Sequence, residues 1–325
     1  MPNVKANGID IEYDSFGTQD AEPMLLISGL GVQMIRWTVP FCECLAAHGY
    51  RVIRFDNRDM GLSTHFDSAP IPDIATVAIT AARGERPEVP YTLHDMADDA
   101  MGLLDALEIE RAHIVGRSMG GMIAQLIASE HPQRTLSLTS IMSSTGNPNL
   151  PPTAPEVMAA LIRRAPHPLE DEEGFLAHSL AFSRVIAGPG YPLDETAQRA
   201  QVLAEVKRAY NPAGFGRQIA AIAAAGDRRL RLNAITVPTL VLHGSDDPLI
   251  SVAGGEDTAA NISGATLHVV EGMGHDIPPA LYEVIARAIV SNARRIDQGY
   301  IATEVDNAPL SSSGPQLPLI TTRHR

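Results

Sequence analysis

Cysteine is nearly absent from this chain, and so are long apolar runs. Only Cys42 and Cys44 occur among the 325 residues. They lie two positions apart on a predicted helix and point to different faces, so we expect two free, buried thiols and no disulfide. No segment reaches the roughly 18 consecutive apolar residues of a membrane-spanning helix, and the first residues contain no apolar stretch of signal-peptide length. These features predict a cytoplasmic protein with no membrane partner.

Positive charge is also scarce. Lys and Arg number 25 against 38 Asp and Glu, which gives a formal net charge of −13. Binding to nucleic acid relies on clustered Lys and Arg that follow the phosphates, so we expect no nucleic-acid partner. Hydrophobic residues make up 45% of the chain and charged residues 19%, which is typical of a globular enzyme and excludes disorder for the bulk of the chain.

Apolar runs alternate with helical patterns along most of the sequence. Residues 4–16 predict a hairpin around the turn pair Asn7-Gly8. Further strands are predicted at 24–27, 50–55, 112–116, 136–142, 239–243 and 266–270. Helices are predicted at 37–47, 92–107, 119–130 and 279–293, the second of them opened by a capping box of Thr92 and Asp95. The alternation predicts an α/β protein with a mainly parallel sheet and helices on both faces.

The alternation stops between residues 146 and 232, where prolines and helical patterns replace the strands. An all-helical insertion after a sheet strand is most simply a cap over the carboxyl ends of the strands, where ligands bind in open α/β sheets. We therefore predict a core of residues 1–145 and 233–295, a cap of residues 146–232 and a tail of residues 296–325. The tail has little to bury, so we expect it to be flexible or docked on a neighbour, which leaves a homo-oligomer open.

A candidate nucleophile lies between the predicted strand at 112–116 and the following helix. The segment Gly116-Arg117-Ser118-Met119-Gly120-Gly121 has the pattern and the setting of a nucleophile elbow. Small residues on both sides of Ser118 let the chain make a sharp turn that exposes the serine oxygen. A G-x-S-x-G pattern alone is more often a structural turn, so the interpretation depends on partners for the serine.

Two loops after later strands supply such partners. Gly244-Ser245-Asp246-Asp247-Pro248 follows the strand at 239–243, and Glu271-Gly272-Met273-Gly274-His275-Asp276 follows the strand at 266–270. The carboxyl ends of parallel strands share one edge, and the chain order serine, acid, histidine is that of α/β hydrolases. Ser118 would attack a carbonyl carbon, and His275 would take and return the proton. Asp246 or Asp247 would orient the imidazole.

Backbone N–H groups at the same edge are candidate donors to the oxyanion of a tetrahedral intermediate. Met119, directly after the nucleophile, supplies one, and Leu30 in the loop Ser28-Gly29-Leu30-Gly31 supplies the other. A phosphate-binding loop is the weaker alternative, because no Gly-Lys-Ser/Thr follows and the third glycine of a dinucleotide fingerprint is missing. No metal or organic cofactor is implied, since H-E-x-x-H spacing is absent and two cysteines on one helix make a poor zinc site.

Three segments carry a resemblance to a known family. They are Arg54-Phe55-Asp56-Asn57-Arg58-Asp59-Met60-Gly61-Leu62-Ser63, Gly116-Arg117-Ser118-Met119-Gly120-Gly121 and Gly272-Met273-Gly274-His275. On these segments, residues 1–295 resemble the α/β hydrolases with a helical cap and, within them, the aclacinomycin methylesterase-like esterases. The resemblance implies an α/β-hydrolase fold, with a mostly parallel eight-stranded sheet flanked by helices and an inserted all-helical cap.

The resemblance also bears on the site residues. It favours Asp247 over Asp246, because Asp247 lies three residues past Gly244 and directly before Pro248, as in relatives with this loop. One departure concerns the oxyanion loop, which many relatives begin with His-Gly where this chain has Ser28-Gly29. That substitution keeps the backbone donors.

The residues and the resemblance together predict a carboxylic-ester hydrolase that forms an acyl-enzyme on Ser118. Its expected substrate is a small to medium, partly apolar ester. Dehalogenases and epoxide hydrolases of this fold carry aspartate in place of the serine, which argues against those activities. A carbon–carbon bond hydrolase of vinylogous diketones uses the same three residue types and stays open. A non-catalytic protein that binds a small ligand in the same pocket is a third hypothesis, although a receptor has no use for a poised nucleophile.

Two further features are interpreted as structural. The polar segment from Asp56 to Asp59 could contact substrate, but we favour an ion-pair network around Arg58. His243 ends an apolar strand, so we interpret it as a structural residue and not as a second base.

Overall fold

The computed structural model describes residues 2–296 and 320–323, and the statements below refer to these residues. The strands are β1 (Asn3–Ala6), β2 (Ile9–Phe16), β3 (Glu22–Ile27), β4 (Tyr50–Phe55), β5 (Ala112–Arg117), β6 (Thr135–Ile141), β7 (Thr239–Gly244), β8 (Thr266–Val270) and β9 (Ile320–Arg323). The helices are α1 (Val39–Ala47), α2 (Ile74–Ala82), α3 (Leu93–Ala106), α4 (Met119–Glu130), α5 (Pro155–Ile162), α6 (Glu172–Ile186), α7 (Glu195–Arg208), α8 (Pro212–Ala225), α9 (Arg229–Leu232), α10 (Val252–Ala260) and α11 (Tyr282–Ala293). Most of the predicted tail lies outside the described residues.

The strands form one sheet in the order β1-β2-β4-β3-β5-β6-β7-β8-β9. Pairing is parallel from β4 through β3, β5, β6 and β7 to β8. It is antiparallel where β2 meets β1 and β4, and where β9 meets β8. The mostly parallel eight-stranded sheet is thus confirmed between residues 3 and 270, and β9 adds a strand that was not predicted.

Apolar cores lie on both faces of the sheet. On β3, Leu25 and Ile27 pack into a cluster with α3 and α4, while Met24 and Leu26 pack into a second cluster with α1 and α11. This alternation follows from the period of two in a strand, and it explains why the strand reads as a continuous apolar run. The sheet is therefore covered by helices on both faces, as predicted.

The predicted hairpin turn and the predicted capping box are both confirmed. Asn7 and Gly8 have φ values of 48° and 78° and close the β1–β2 hairpin, as expected for a tight turn with two left-handed residues. The capping box of Thr92 and Asp95 opens α3, with each side chain bonded to the other residue's backbone N–H. Helix α1 begins at Val39, two residues after the predicted start, because residues 34–36 form a separate 3₁₀ turn.

The strand order reverses between β3 and β5, since the chain runs from β3 to β4 on one side and continues with β5 on the other. In open α/β sheets, ligands bind in the crevice outside the carboxyl ends of the strands at such a reversal. The loops that leave β3 and β5 begin at Ser28 and Ser118. The topology therefore places both segments at the crevice.

Helices α5 to α9 lie between β6 and β7, and the described part of this stretch contains no strand. The boundaries of the predicted cap, 146 and 232, stay a prediction. None of the helices in the described residues combines the length and the apolarity needed to cross a bilayer.

Candidate active site

Ser118 lies at the sharp turn between β5 and α4. Its backbone has φ 54° and ψ −123°, a combination that non-glycine residues rarely adopt and that costs on the order of 1–3 kcal/mol. The surrounding hydrogen bonds hold this conformation. Ser118 N–H donates to the carbonyl of Ile141 at 2.9 Å, and the hydroxyl of Ser143 donates to the carbonyl of Ser118 at 2.9 Å. Strand β6 and the loop directly after it thus maintain the strained turn.

The glycines of the elbow have the steric role that the sequence predicted. A Cβ atom on Gly116 would lie 2.0 Å from the carbonyl oxygen of Gly120, and one on Gly120 would lie 2.2 Å from the carbonyl oxygen of Ile27. Both distances are far below van der Waals contact, and in each case the opposing atom belongs to the backbone. Larger residues at either position would displace the turn or strand β3.

The structure brings the predicted serine, histidine and acid together. The Oγ atom of Ser118 lies 3.0 Å from Nε2 of His275, and Nδ1 of His275 lies 2.7 Å from Oδ2 of Asp247. The side chain of Asp247 is fully buried and that of His275 is 7% exposed. A continuous hydrogen-bonded path therefore runs from the carboxylate through the imidazole to the hydroxyl.

Asp247 is held in its ionised form by its surroundings. Its Oδ1 atom accepts hydrogen bonds from the backbone N–H groups of Leu249 at 2.9 Å and Ile250 at 2.8 Å. Burial by itself would raise the pKa of Asp247, but His275 and the neighbouring His243 outweigh it and hold the pKa well below its usual range. Asp246, the alternative acid, is exposed and accepts a hydrogen bond from Ser245.

His243 also approaches the acid, a contact that the sequence did not predict. Its Nε2 atom lies 2.8 Å from the carbonyl oxygen of Ile250 and 3.5 Å from Oδ2 of Asp247. A carbonyl oxygen only accepts, so Nε2 carries the proton and donates it. The buried ring therefore supports the turn that presents Asp247. In the sequence, His243 and Asp247 are four residues apart, but this spacing alone does not indicate that their side chains meet.

The two predicted oxyanion donors lie on segments that meet at Ser118. Met119 begins α4, so its N–H has no acceptor within the helix. In the loop that contains Leu30, a Cβ atom on Gly29 would lie 3.2 Å from Cβ of Ser118, which shows how closely the loop approaches the serine. The assignment of Leu30 and Met119 as donors stays a prediction.

The segment from Asp56 to Asp59 does form an ion-pair network, as interpreted from the sequence. Arg58 pairs with Asp99 on α3 through two bonds of 2.6 and 2.7 Å. The two aspartates pair elsewhere. Asp56 binds Arg208 at 2.5 Å, and Asp59 binds Arg217 through two bonds of 2.7 and 2.8 Å. Arg208 and Arg217 belong to α7 and α8. The buried carboxylates of Asp56 and Asp59 therefore join the loop after β4 to helices α5 to α9, called the helical segment below.

Asp276, next to the histidine, is a half-buried carboxyl that the sequence did not single out. Among the described residues, its Oδ1 atom is buried without a hydrogen-bond partner. Burial raises the pKa of Asp276 to about 6, although the charges of Arg117 and His275 oppose this effect. No feature of the sequence separated Asp276 from an exposed loop residue.

One cluster in the described residues could hold a metal ion. Ligand atoms of Cys44, His48 and Glu283 all lie within 4.8 Å of one another. The Sγ atom of Cys44 donates to Glu283 at 3.0 Å, and Arg287 binds the other oxygen of that carboxylate at 2.6 Å. Burial and the bond to Glu283 raise the pKa of Cys44 to about 11, so the thiol retains its proton, whereas zinc binds the thiolate.

Comparisons with known proteins agree with this architecture. A family model described as the α/β hydrolase fold matches residues 22–278. The rhodomycin D methylesterase DauP of Streptomyces sp. (strain C5) is 28% identical over 310 residues, which cover 90% of this chain and 97% of DauP. A 2-hydroxy-6-oxononadienedioate/2-hydroxy-6-oxononatrienedioate hydrolase of Paraburkholderia xenovorans (strain LB400) is 29% identical over 274 residues, which cover 82% of this chain and 84% of that protein.

A solved structure gives the same result. The enol-lactonase from Burkholderia xenovorans LB400 superposes with a TM-score of 0.60 and 26% identity, covering 91% of this chain and 98% of its own. The resemblance to methylesterases is therefore confirmed by DauP, and the fold by the lactonase. The chain belongs to the α/β-hydrolase family, and its relatives identify it as an esterase-type hydrolase.

Proposed function

We propose that this chain hydrolyses a carboxylic ester through an acyl-enzyme on Ser118. The observation that carries the proposal is the path from Asp247 through His275 to Ser118, with distances of 2.7 and 3.0 Å, at a residue held in a strained turn. An adjacent base activates a serine hydroxyl, and strained backbone conformations cluster at functional sites, so both features support the proposal.

The proposed reaction has two halves. In the first, His275 takes the proton of the Ser118 hydroxyl as the oxygen attacks the ester carbonyl, and the same proton then goes to the departing alkoxide, which leaves as an alcohol. In the second, His275 deprotonates a water that attacks the acyl-enzyme, and the acid leaves as Ser118 regains its proton. Asp247 holds the imidazole and stabilises the imidazolium, while the N–H groups of Met119 and Leu30 bind the oxyanion.

Methyl esters are the substrate class to test first. DauP, with which this chain aligns over 90% of its length, is named a methylesterase of rhodomycin D. We extend the proposal to a small to medium, partly apolar ester bound beneath a cap formed by residues 146–232. The contacts of α7 and α8 with the loops at the crevice support this cap.

A second candidate is the hydrolysis of a carbon–carbon bond in a vinylogous diketone. The similarity to the Paraburkholderia hydrolase over 274 residues favours it, since that protein's name specifies such a dienedioate. Parallel assays with methyl or p-nitrophenyl esters and with a ring-fission diketone separate the two. Turnover of the diketone without turnover of any ester would favour the second candidate.

The replacement Ser118→Ala tests the catalytic assignment. We expect ester turnover to fall by at least about 1,000-fold, because loss of the nucleophile removes the acyl-enzyme route. Ser129→Ala is a matched control, since Ser129 lies on the same helix α4 and its hydroxyl donates to the carbonyl of Leu126 in the preceding turn. Circular dichroism should show that both variants are folded.

Labelling with a fluorophosphonate provides a readout that needs no substrate. The wild type and Ser129→Ala should take up one label per chain, and Ser118→Ala none. Undiminished esterase activity in Ser118→Ala would overturn the assignment. A folded wild type that is neither labelled nor active would favour the non-catalytic ligand-binding hypothesis.

A further inference from the structure

The side chain of Gln218 bridges two loops at the carboxyl edge of the sheet. It lies on α8 and is fully buried. Its Nε2 donates to the carbonyl of Arg58 at 2.9 Å, and its Oε1 accepts a hydrogen bond from Gly31 N–H at 2.9 Å. One amide therefore joins the loop after β4 to the loop after β3.

The same β3 loop is held at a second point by α7. The Nε2 atom of Gln33 donates to the carbonyls of Glu205 and Ala209, each at 2.8 Å, at the end of that helix. Arg208 in turn donates to Oε1 of Gln33 at 2.9 Å. The loop from residue 28 to 33 is thus fastened to the helical segment at both Gly31 and Gln33.

Packing leaves the loop little freedom at Gly31. This residue has φ 68°, and a Cβ atom on it would lie 2.6 Å from the ring of Phe215 on α8. Gly31 directly follows Leu30, so holding Gly31 N–H constrains the backbone dihedrals of Leu30 and hence the direction of the Leu30 N–H. A backbone donor stabilises an oxyanion well only when its direction is set before the reaction.

We infer that Gln218 is a positioning residue that orients the Leu30 N–H toward the oxyanion from the helical segment. This inference rests on the proposed function, because it assumes that Leu30 is a donor to the oxyanion on Ser118. It goes beyond that function because it gives α8 a role in positioning an oxyanion donor, in addition to its proposed role in covering the site. Both side-chain bonds of Gln218 go to backbone groups of the two loops, so its proposed effect is exerted through Leu30.

Two replacements test the role. Gln218→Met keeps the length of the side chain but loses both hydrogen bonds, and Gln218→Asn keeps an amide that is too short to span both loops. We expect kcat for a methyl or p-nitrophenyl ester to fall about tenfold in each variant, while KM stays unchanged. A tenfold fall corresponds to the loss of about one net hydrogen bond. Gln198→Met is the matched control, because the side chain of Gln198 donates to Ser183 within the helical segment and, among the described residues, contacts neither loop through a hydrogen bond.

A transition-state analogue separates positioning from general damage. An aliphatic trifluoromethyl ketone forms a hemiketal on the serine, and its oxyanion occupies the site of the intermediate. Its inhibition constant should rise in each Gln218 variant by the same factor by which kcat/KM falls, and it should stay at the wild-type value in Gln198→Met. The Asn variant decides the question if the Met variant fails to fold.

Unchanged kcat in a folded variant, or a fall in kcat without weaker binding of the ketone, would overturn the inference. Neither result would affect the proposed function. That proposal fails separately, if Ser118→Ala retains wild-type turnover.

Discussion

Replacing Asp59 by asparagine tests how much stability the charges between the β4 loop and α8 contribute. The side chains of Asp59 and Arg217 are 0% and 1% exposed and form two parallel bonds of 2.7 and 2.8 Å. Tyr91 donates a further bond of 2.6 Å to the same carboxylate. Asn has nearly the same shape and tolerates the φ of 68° found at this position, so Asp59→Asn removes the charge without changing the backbone.

The expected loss is large, because the arginine stays behind. Removing one partner of a buried ion pair costs on the order of 3–5 kcal/mol, since the other charge is left buried and uncompensated. A neutral hydrogen bond contributes only about 0.5–1.5 kcal/mol. The size of the loss therefore distinguishes an uncompensated buried charge from the loss of an ordinary hydrogen bond. Asp10→Asn is the control, because Lys5 and Asp10 form a surface pair with side chains 75% and 47% exposed. We expect that variant to unfold close to the wild type.

Equilibrium unfolding in urea, followed by the fluorescence of the single, buried Trp37, measures the effect. Burial opposes ionisation of Asp59, but the bonds from Arg217 and Tyr91 outweigh it and lower the pKa below the usual value. An acid with a lowered folded-state pKa stabilises the fold at neutral pH, and this contribution is lost as the pH falls through that pKa. The difference in stability between the wild type and Asp59→Asn should therefore stay constant from pH 7 to about pH 5 and narrow as the pH falls further. A gap below about 1 kcal/mol at pH 7, the scale of a single neutral bond, would refute the reasoning.

Two further predictions concern the elbow and the loop beside the histidine. Gly116→Ala should lower the urea midpoint sharply and abolish ester turnover, because its Cβ would lie 2.0 Å from the carbonyl oxygen of Gly120; a stable, active variant would contradict the steric account. Asp276→Asn should be more stable than the wild type, by a margin that grows from pH 4 to pH 7. Burial raises the pKa of Asp276 to about 6, so the carboxyl ionises at a lower pH in the unfolded chain than in the folded one. Rising pH therefore favours the unfolded wild type, and asparagine, which does not ionise, avoids this loss of stability. Equal urea midpoints at pH 7 would contradict it.

The fold and the meeting of the three proposed site residues could be predicted from the sequence because each depends on the order of elements along the chain. Ser118 and His275 are 157 residues apart, yet Ser118 directly follows strand β5 and His275 lies in the short loop after strand β8. Parallel strands end at one edge, so the loops after them had to converge. The choice of Asp247 over Asp246 needed the resemblance, because both residues occupy the same loop and composition does not distinguish them.

The partners of the crevice loops were not accessible in this way. Arg208 and Arg217 are 152 and 158 residues from the aspartates that they bind, and an arginine on a helix is ordinarily exposed to solvent. The predicted network was therefore centred on Arg58, which is adjacent in sequence, although Arg58 pairs with Asp99 on α3. Helical periodicity shows that a segment has a polar face, but it does not show what that face contacts.

Under the proposed function, these contacts would link substrate selection to chemistry. If α7 and α8 cover the substrate, as proposed, changes that adapt them to a new ester also act on Gln33 and Gln218, and so on the loop that carries Leu30. The histidine loop is joined to the helical segment as well, because His275 N–H donates to the carbonyl of Ile186 at the end of α6. Replacements in the helices that are intended to change specificity should therefore change kcat together with KM, unless they leave these bonds in place.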